Sequence, residues 1–256
     1  MSIVKIYNVI GIMSGTSMDG IDCSYLKTDG ESSVSIICES TYKYSINYKN
    51  KLEKIVKDIN AISKSKRNKY IKNNEQLVTN YFSKIIKKFI NENNIKKKYV
   101  DYIGLSGQTI FHDPKNYISI QLGSCRKIKN KLGIKIIGNF RQNDISLGGE
   151  GAPIGSFYYK HILDKISKSS AMINLGGIAN ICYTNKNSLI AFDIGPANLL
   201  IDDLMKINFK RNFDLNGKHA FKGTVNKKLI NNFKNDIFFK KNYPKSLDRE
   251  YFKKYF

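Results

Sequence analysis

The chain of 256 residues contains no tryptophan, little arginine, and half as many acidic as basic side chains, 21 Asp and Glu against 43 Lys and Arg. It also lacks any apolar run near the roughly 18–20 residues that a membrane-crossing helix requires. Its start, Met1-Ser2-Ile3-Val4-Lys5, has no apolar core of a secretion signal. A helical membrane protein is thereby excluded, no membrane partner is expected, and the expected location is cytoplasmic. The four cysteines, Cys23, Cys38, Cys125 and Cys182, are far apart and form no Cys-x-x-Cys pair. This spacing suggests neither a zinc site nor a disulfide framework, and the cysteines are read as small core residues.

The shortage of acids leaves a formal net charge of +22, which ordinarily suggests a polyanionic partner. Here the excess is nearly all lysine, accompanied by asparagine, isoleucine, tyrosine and phenylalanine. All of these have A/T-rich codons, so base composition accounts for the charge as well as selection would. Runs such as Lys64-Ser65-Lys66-Arg67 and Ile95-Lys96-Lys97-Lys98 are read as solvated faces. No specific nucleic acid is expected, and a basic nucleic-acid-binding protein is the reading that charge alone motivates. With 41% hydrophobic residues the chain can bury a core as one large or two small domains.

What is present begins with Gly11-Ile12-Met13-Ser14-Gly15-Thr16-Ser17-Met18-Asp19-Gly20-Ile21-Asp22, a small-residue turn between two apolar runs. Three glycines let backbone N–H groups approach an anion, Ser14, Thr16 and Ser17 add hydroxyls, and Asp19 and Asp22 can hold a metal or its water shell. An ordinary polar hairpin is the bland alternative. Residues 3–12, 21–26 and 34–44 read as three hairpin-connected strands. Leu52, Ile55, Val56 and Ile59 have helical spacing, and after a basic break Leu77, Tyr81, Ile85, Ile86, Phe89 and Ile90 mark a second, longer helix. A strand over 99–105 should deliver Ser106-Gly107-Gln108-Thr109 to its C-terminal end, where α/β sheets place ligand groups. Strands over 118–122 and 134–137 follow, with a short basic helix between them. The last strand empties into a long loop, Gly138-Asn139-Phe140-Arg141-Gln142-Asn143-Asp144 and Gly148-Gly149-Glu150-Gly151-Ala152-Pro153, which is read as a site.

Near Ser169-Ser170 the pattern starts again. Strands over 171–175, 178–183 and 189–194 surround Gly176-Gly177, and a helix starting at Pro196 carries Leu199, Leu200, Ile201, Leu204 and Met205. Residues 225–233 form a further helical stretch. Two three-stranded openings, each with a glycine turn, suggest two related lobes with a ligand between them.

The motifs together carry a resemblance. Residues 11–22, Ser106-Gly107-Gln108-Thr109 with His112 and Pro114, Asn139-Phe140-Arg141-x-x-Asp144 with Gly148-Gly149-x-Gly151-Ala152-Pro153, Asn174-x-Gly176-Gly177-Ile178-Ala179-Asn180, and Phe192-Asp193-x-Gly195-Pro196-x-Asn198 occur in order, followed by Pro244-Lys245-Ser246-x-x-Arg249-Glu250. In this they resemble the anhydro-N-acetylmuramic acid kinases, a family of the sugar kinase, Hsp70 and actin superfamily. The resemblance implies an α/β fold of actin/Hsp70/sugar-kinase-like type, with two RNase H-like lobes, the second incomplete. Residues 1–169 would form the lobe with the first phosphate hairpin and the sugar and catalytic loop, and residues 170–256 the partial second lobe.

The resemblance further implies ATP-dependent cleavage of the 1,6-anhydro ring of a cell-wall amino sugar with phosphorylation of O6, using ATP and Mg2+. Asp144 matches the catalytic aspartate, an activator of water. Gly15, Thr16, Ser17, Met18, Asp19, Gly20, Ile21 and Asp22 match the ATP-binding hairpin, with Mg2+ held through ATP and through Asp19 or Asp22. Gly176 and Gly177 correspond to a second phosphate loop and Asp193 to a carboxylate beside it, or else to a plain strand and turn. Gln108, Thr109, His112 and Arg141 fall near the sugar, His112 equally as a structural hydrogen-bonder. A homodimer is the assembly the resemblance favours. The chain departs from the family pattern at Ser106 (His), Asn139 (Asp), Glu150 (Gln) and Asn216 (Asp). Members of the family are also longer, so the chain is read as C-terminally truncated, with an inactive remnant of the family as the alternative.

Overall fold

The computed structural model describes residues 4–166, 170–185, 188–248 and 251–255. Contacts divide the chain into two compact units, 1–149 and 150–256.

The first unit starts with three strands, β1 (Tyr7–Met13), β2 (Gly20–Thr28) and β3 (Val34–Lys43), each a run of β-branched and aromatic residues bounded by turn chemistry. They pair as an antiparallel meander, with Ile12 opposite Cys23 and Asp22 opposite Thr41. Two helices follow, α1 (Ile46–Ala61) and α2 (Lys64–Glu92). Ser45 starts α1 by accepting a hydrogen bond from the Tyr48 N–H at 3.3 Å. The basic run Lys64–Arg67 is not a break between helices but the first turn of α2, which extends 29 residues.

The chain then forms β4 (Tyr102–Leu105), a hairpin of β5 (Gln108–Asp113) and β6 (Ile118–Leu122), helix α3 (Cys125–Leu132), β7 (Lys135–Gly138) and a short helix α4 (Phe140–Ser146). β4 pairs parallel to β1, and β7 parallel to β4. The result is a mixed five-stranded sheet of order β3-β2-β1-β4-β7. Its core joins Ile10, Ile12, Ile21 and Ile103 of the sheet to Leu52 and Ile59 of α1, Phe82, Ile86 and Phe89 of α2, and Ile128 of α3. Each such side chain contributes about 1.5–3 kcal/mol by leaving water.

The second unit holds α5 (Ser156–Ile166), a meander of β8 (Ala171–Leu175), β9 (Ile178–Asn185) and β10 (Ser188–Pro196), then α6 (Asn198–Phe209), α7 (Lys227–Lys234) and α8 (Ile237–Lys240). The sheet order β10-β9-β8 repeats that of the first three strands. α5 packs on this second sheet, so the contacts divide the chain twenty residues before the expected lobe boundary at 169/170. Pro196 closes β10 instead of opening a helix, and α6 begins two residues later. Ile173 and Leu175 on β8 are exposed.

A separate aromatic cluster gathers Phe238, Leu247 and Phe252 with Phe233 and Tyr255. The buried Asp236 organises it, accepting from the Phe238 N–H at 2.8 Å and from the Tyr251 and Tyr255 hydroxyls at 2.8 and 2.7 Å, and pairing with Lys254 at 2.6 Å. Burial opposes ionisation there, but these donors outweigh it and hold the carboxyl well below the usual carboxylate range. Arg249 and Glu250 lie outside the described residues, as does Ser169. Overall the architecture is mixed α/β, consistent with a sugar-kinase-like fold. Among the described residues no helix is long and apolar enough to cross a membrane.

Candidate active site

The loop between β1 and β2 divides its residues between core and solvent. Met18, at φ 52°, and Ile21 are buried, so the backbone is all they can offer an anion, and their side chains pin the loop to the core. Gly20 is required by packing: a β-carbon there would stand 2.6 Å from the Tyr42 carbonyl oxygen on β3. What faces outward is Gly15, Thr16 and Ser17, half-buried, and Asp19 and Asp22, exposed. Ser17 Oγ donates to Asp19 Oδ1 at 2.8 Å, and Thr41 Oγ1 donates to Asp22 Oδ1 at 2.6 Å. Among the described residues no group of three or more His, Cys, Asp or Glu is placed to hold a metal. The carboxylates this loop presents are Asp19 and Asp22, each accepting from one hydroxyl, a set that matches a metal ion only if it takes most of its ligands from water or phosphate. Cys23, next to this loop, is buried, and burial followed by the charge of Asp22 pushes its thiol up to about 12. It is an inert core group.

Beneath the loop lies a buried polar network. Ser14 Oγ donates to Gln108 Oε1 at 2.6 Å, and the Tyr44 hydroxyl lies 2.8 Å from Ser14 Oγ and 3.2 Å from the same Gln108 oxygen. Gln108 Nε2 donates in turn to the carbonyls of Gly15 at 3.3 Å and Thr109 at 3.4 Å. The Ser14 N–H donates to Ser106 Oγ at 3.1 Å. Burial raises the Tyr44 phenol above its ordinary range, against the opposing hydrogen bond to Ser14, so it remains a donor. Since Ser14 has a single hydroxyl proton and sends it to Gln108, the Tyr44 proton must point at this pair. Gln108 is fully buried. Its amide is engaged inside the protein, under the β1–β2 loop. Tyr44, one residue past β3, follows Tyr42 by two, a period-two signal that could have placed both inward.

The residues expected near the sugar lie on β5 and α4. Thr109 sits opposite Gln121 and His112 opposite Ser119. Ser119 Oγ accepts from Gln121 Nε2 at 2.6 Å, which leaves its own proton available to His112 Nδ1 at 3.0 Å. The Arg67 guanidinium stacks on Phe111 at 4.0 Å. Gln142 joins α4 to the hairpin by accepting from the Ser119 N–H at 3.3 Å and donating to the Tyr117 carbonyl at 3.1 Å. Residues 140–146 were expected as loop, yet they form α4, which carries Arg141, half-buried, and Asp144, exposed. Both have further partners in the fold. Sequence reasoning missed Tyr44, Ser119 and Gln121, which lie outside the quoted motifs, and did not single out Gln142 within the loop it read as a site.

In the second unit the carbonyl of Gly177 accepts from the Ala197 and Leu199 N–H groups at 3.0 and 3.1 Å, and that of Gly176 from the Asn198 N–H at 3.0 Å. These two glycines therefore tie the β8–β9 turn to the start of α6. Asp193 is buried on β10; its Oδ2 accepts from the Leu247 N–H at 2.8 Å and its own N–H donates to the Lys245 carbonyl at 2.9 Å. It holds the Pro244–Leu247 segment against the strand.

Against known proteins, the family model described as anhydro-N-acetylmuramic acid kinase matches residues 7–256. The chain belongs to the anhydro-N-acetylmuramic acid kinase family. Relatives bearing that name include those of Pelagibacter ubique, 36% identical over 89% of this chain and 61% of the relative, and Sulfurimonas denitrificans, 34% identical over 95% and 64%. A third, from Brucella suis, is 32% identical over 94% of this chain and 66% of its own length. The chain thus spans under two thirds of the length of these anhydro-N-acetylmuramic acid kinases. Its departures from the family pattern acquire local reasons. Ser106 receives the Ser14 N–H, and Glu150 accepts from Ser246 Oγ at 2.6 Å. Asn139 and Asn216 both stand at positive φ, 62° and 58°, where asparagine and aspartate are the favoured non-glycine residues.

Proposed function

We propose that this kinase-family chain carries out ATP-dependent opening of anhydro-N-acetylmuramic acid, giving N-acetylmuramic acid 6-phosphate and ADP. Water attacks the anomeric carbon and gives its proton to Asp144, the bond from that carbon to O6 breaks, and O6 takes the γ-phosphoryl group as its bond to ADP breaks. The observation that carries this reading is Asp144 itself, exposed on α4 within the family's aspartate motif. A positioned carboxylate base is worth about 10²–10⁴ in rate.

Gly15, Thr16 and Ser17 supply backbone and hydroxyl donors to phosphate, and Asp19 or Asp22 orients hydrated Mg2+, which when bound neutralises charge on the phosphates. Thr109, His112 and Arg141 face the sugar. Gly176 and Gly177 serve as a second phosphate loop, while Asp193 acts as a support, as its buried contacts with Leu247 and Lys245 suggest. The topology β3-β2-β1-β4-β7 supports an RNase H-like first lobe, and the second meander supports a related one.

The test is ADP release from ATP, Mg2+ and the anhydro sugar, for the chain and for Asp144→Asn. Sugar-dependent release that falls by about 10²–10⁴ in the variant is expected. Release undiminished by Asp144→Asn would remove the base assignment, and none from the parent chain at high concentration would remove the activity and leave the inactive-member reading.

A further inference from the structure

Where α4 ends, the main chain folds back around Asp144. The N–H groups of Leu147 and Gly149 both donate to the Asp144 carbonyl, at 3.1 and 2.9 Å, and Gly148 makes the reversal at φ 90°. The side chain of Asp144 then lies across the bare α-carbon of Gly149. A β-carbon at Gly149 would fall on the carboxylate, 2.5 Å from Cγ, 2.6 Å from Oδ1 and nearer still to Oδ2. Non-bonded carbon contacts require about 3.5–4.0 Å. No residue other than glycine therefore leaves this carboxylate where it stands.

The backbone does not impose the same demand. Gly148 and Gly151 have φ of 90° and 65°, whereas Gly149 is absent from the positive-φ glycines. The three atoms nearest its missing β-carbon all belong to the Asp144 carboxylate. The first obstruction a side chain at 149 would meet is therefore the carboxylate itself.

We infer that Gly149 is a positioning residue for the reaction, its bare α-carbon forming the seat that leaves room for the Asp144 carboxylate where it stands. The inference rests on the reading of Asp144 as the water base. Since the obstructing atoms belong to a side-chain tip and not to the main chain, a methyl at 149 should displace the carboxylate and leave the fold intact. A displacement on the order of 1 Å in a catalytic group lowers rate by up to about 10²-fold.

Gly149→Ala is compared with Asp144→Asn, Asp144→Ala and the Asp144→Ala/Gly149→Ala double variant, by kcat, KM for ATP and sugar, melting temperature, and the crystal structure of Gly149→Ala. The expected result is a fall in kcat of about 10- to 100-fold with KM for ATP and melting temperature unchanged. The Asp144 carboxylate should be rotated off its seat over an unmoved main chain. In the Asp144→Ala background, alanine at 149 should cost nothing further. Full kcat in Gly149→Ala while Asp144→Asn is inactive would overturn the seat alone; activity retained by Asp144→Asn would overturn the base reading beneath it. The crystal structure decides independently of turnover, because a carboxylate left in place over a shifted loop contradicts the seat.

Discussion

Replacing Gln108 by glutamate tests the buried network under the β1–β2 loop. The substitution preserves size and the oxygen that accepts from Ser14 and Tyr44, but it puts a second oxygen where Nε2 donates to the Gly15 and Thr109 carbonyls. In its neutral form the new carboxyl can still donate to one of those carbonyls, so the cost is about one hydrogen bond, roughly 1 kcal/mol. Ionised, it is a charge at a fully buried position, facing two carbonyl oxygens. None of the groups it touches, Ser14, Gly15, Tyr44 or Thr109, carries a positive charge.

The folded-state pKa of that glutamate must then rise above the unfolded value of about 4.3. An acid whose folded pKa is raised keeps its stability below the unfolded pKa and loses it as pH climbs toward the folded one. The penalty of Gln108→Glu should therefore stay near 1 kcal/mol at about pH 4 and grow by about 1.4 kcal/mol per pH unit above it, levelling off once the folded pKa is passed. Urea unfolding of both proteins, followed by circular dichroism from about pH 4 to 8, measures the difference. A penalty independent of pH would refute the argument, because it would mean that the side chain at 108 reaches solvent and is free to contact a ligand.

Gly20→Ala should destabilise the first unit by about 1–3 kcal/mol in chemical denaturation, because its β-carbon meets the Tyr42 backbone, which cannot rotate away as a side chain can. Asp236→Asn should cost about 2 kcal/mol by removing a charged acceptor from Lys254, Tyr251 and Tyr255. Because the Asp236 carboxyl is held below its usual range, its contribution is complete above the unfolded pKa of about 3.9 and is lost as pH falls from there. The parent chain should accordingly lose stability in that acid window more steeply than Asp236→Asn, in acid-unfolding curves of the two proteins.

The strands of both meanders were legible because each is a short β-branched run closed by glycine or polar turns, and their antiparallel pairing followed from short connections. The start of α2 was hidden. Its first turns, Lys64 to Lys72, are lysine-rich and mostly exposed, and fully buried residues begin only at Val78, so no apolar stripe announces the helix. α4 escaped for a similar reason, since Ile145 is its one buried residue. The candidate site was legible by residue type but not by orientation. Gln108 and Asp193 read as polar groups at strand ends, where ligands usually bind, yet tertiary contacts bury both. Asp144 was marked by its motif, whereas the steric role of Gly149 depends on a chain reversal that spacing alone does not encode.

The central claim is that water opens the anhydro ring while O6 receives the phosphoryl group. Turnover in oxygen-18 water, analysed by mass spectrometry of the sugar phosphate and ADP, tests it directly. The account predicts one labelled oxygen at the anomeric carbon and none in the transferred phosphoryl group. Label in released inorganic phosphate, with the anhydro ring left closed, would contradict it.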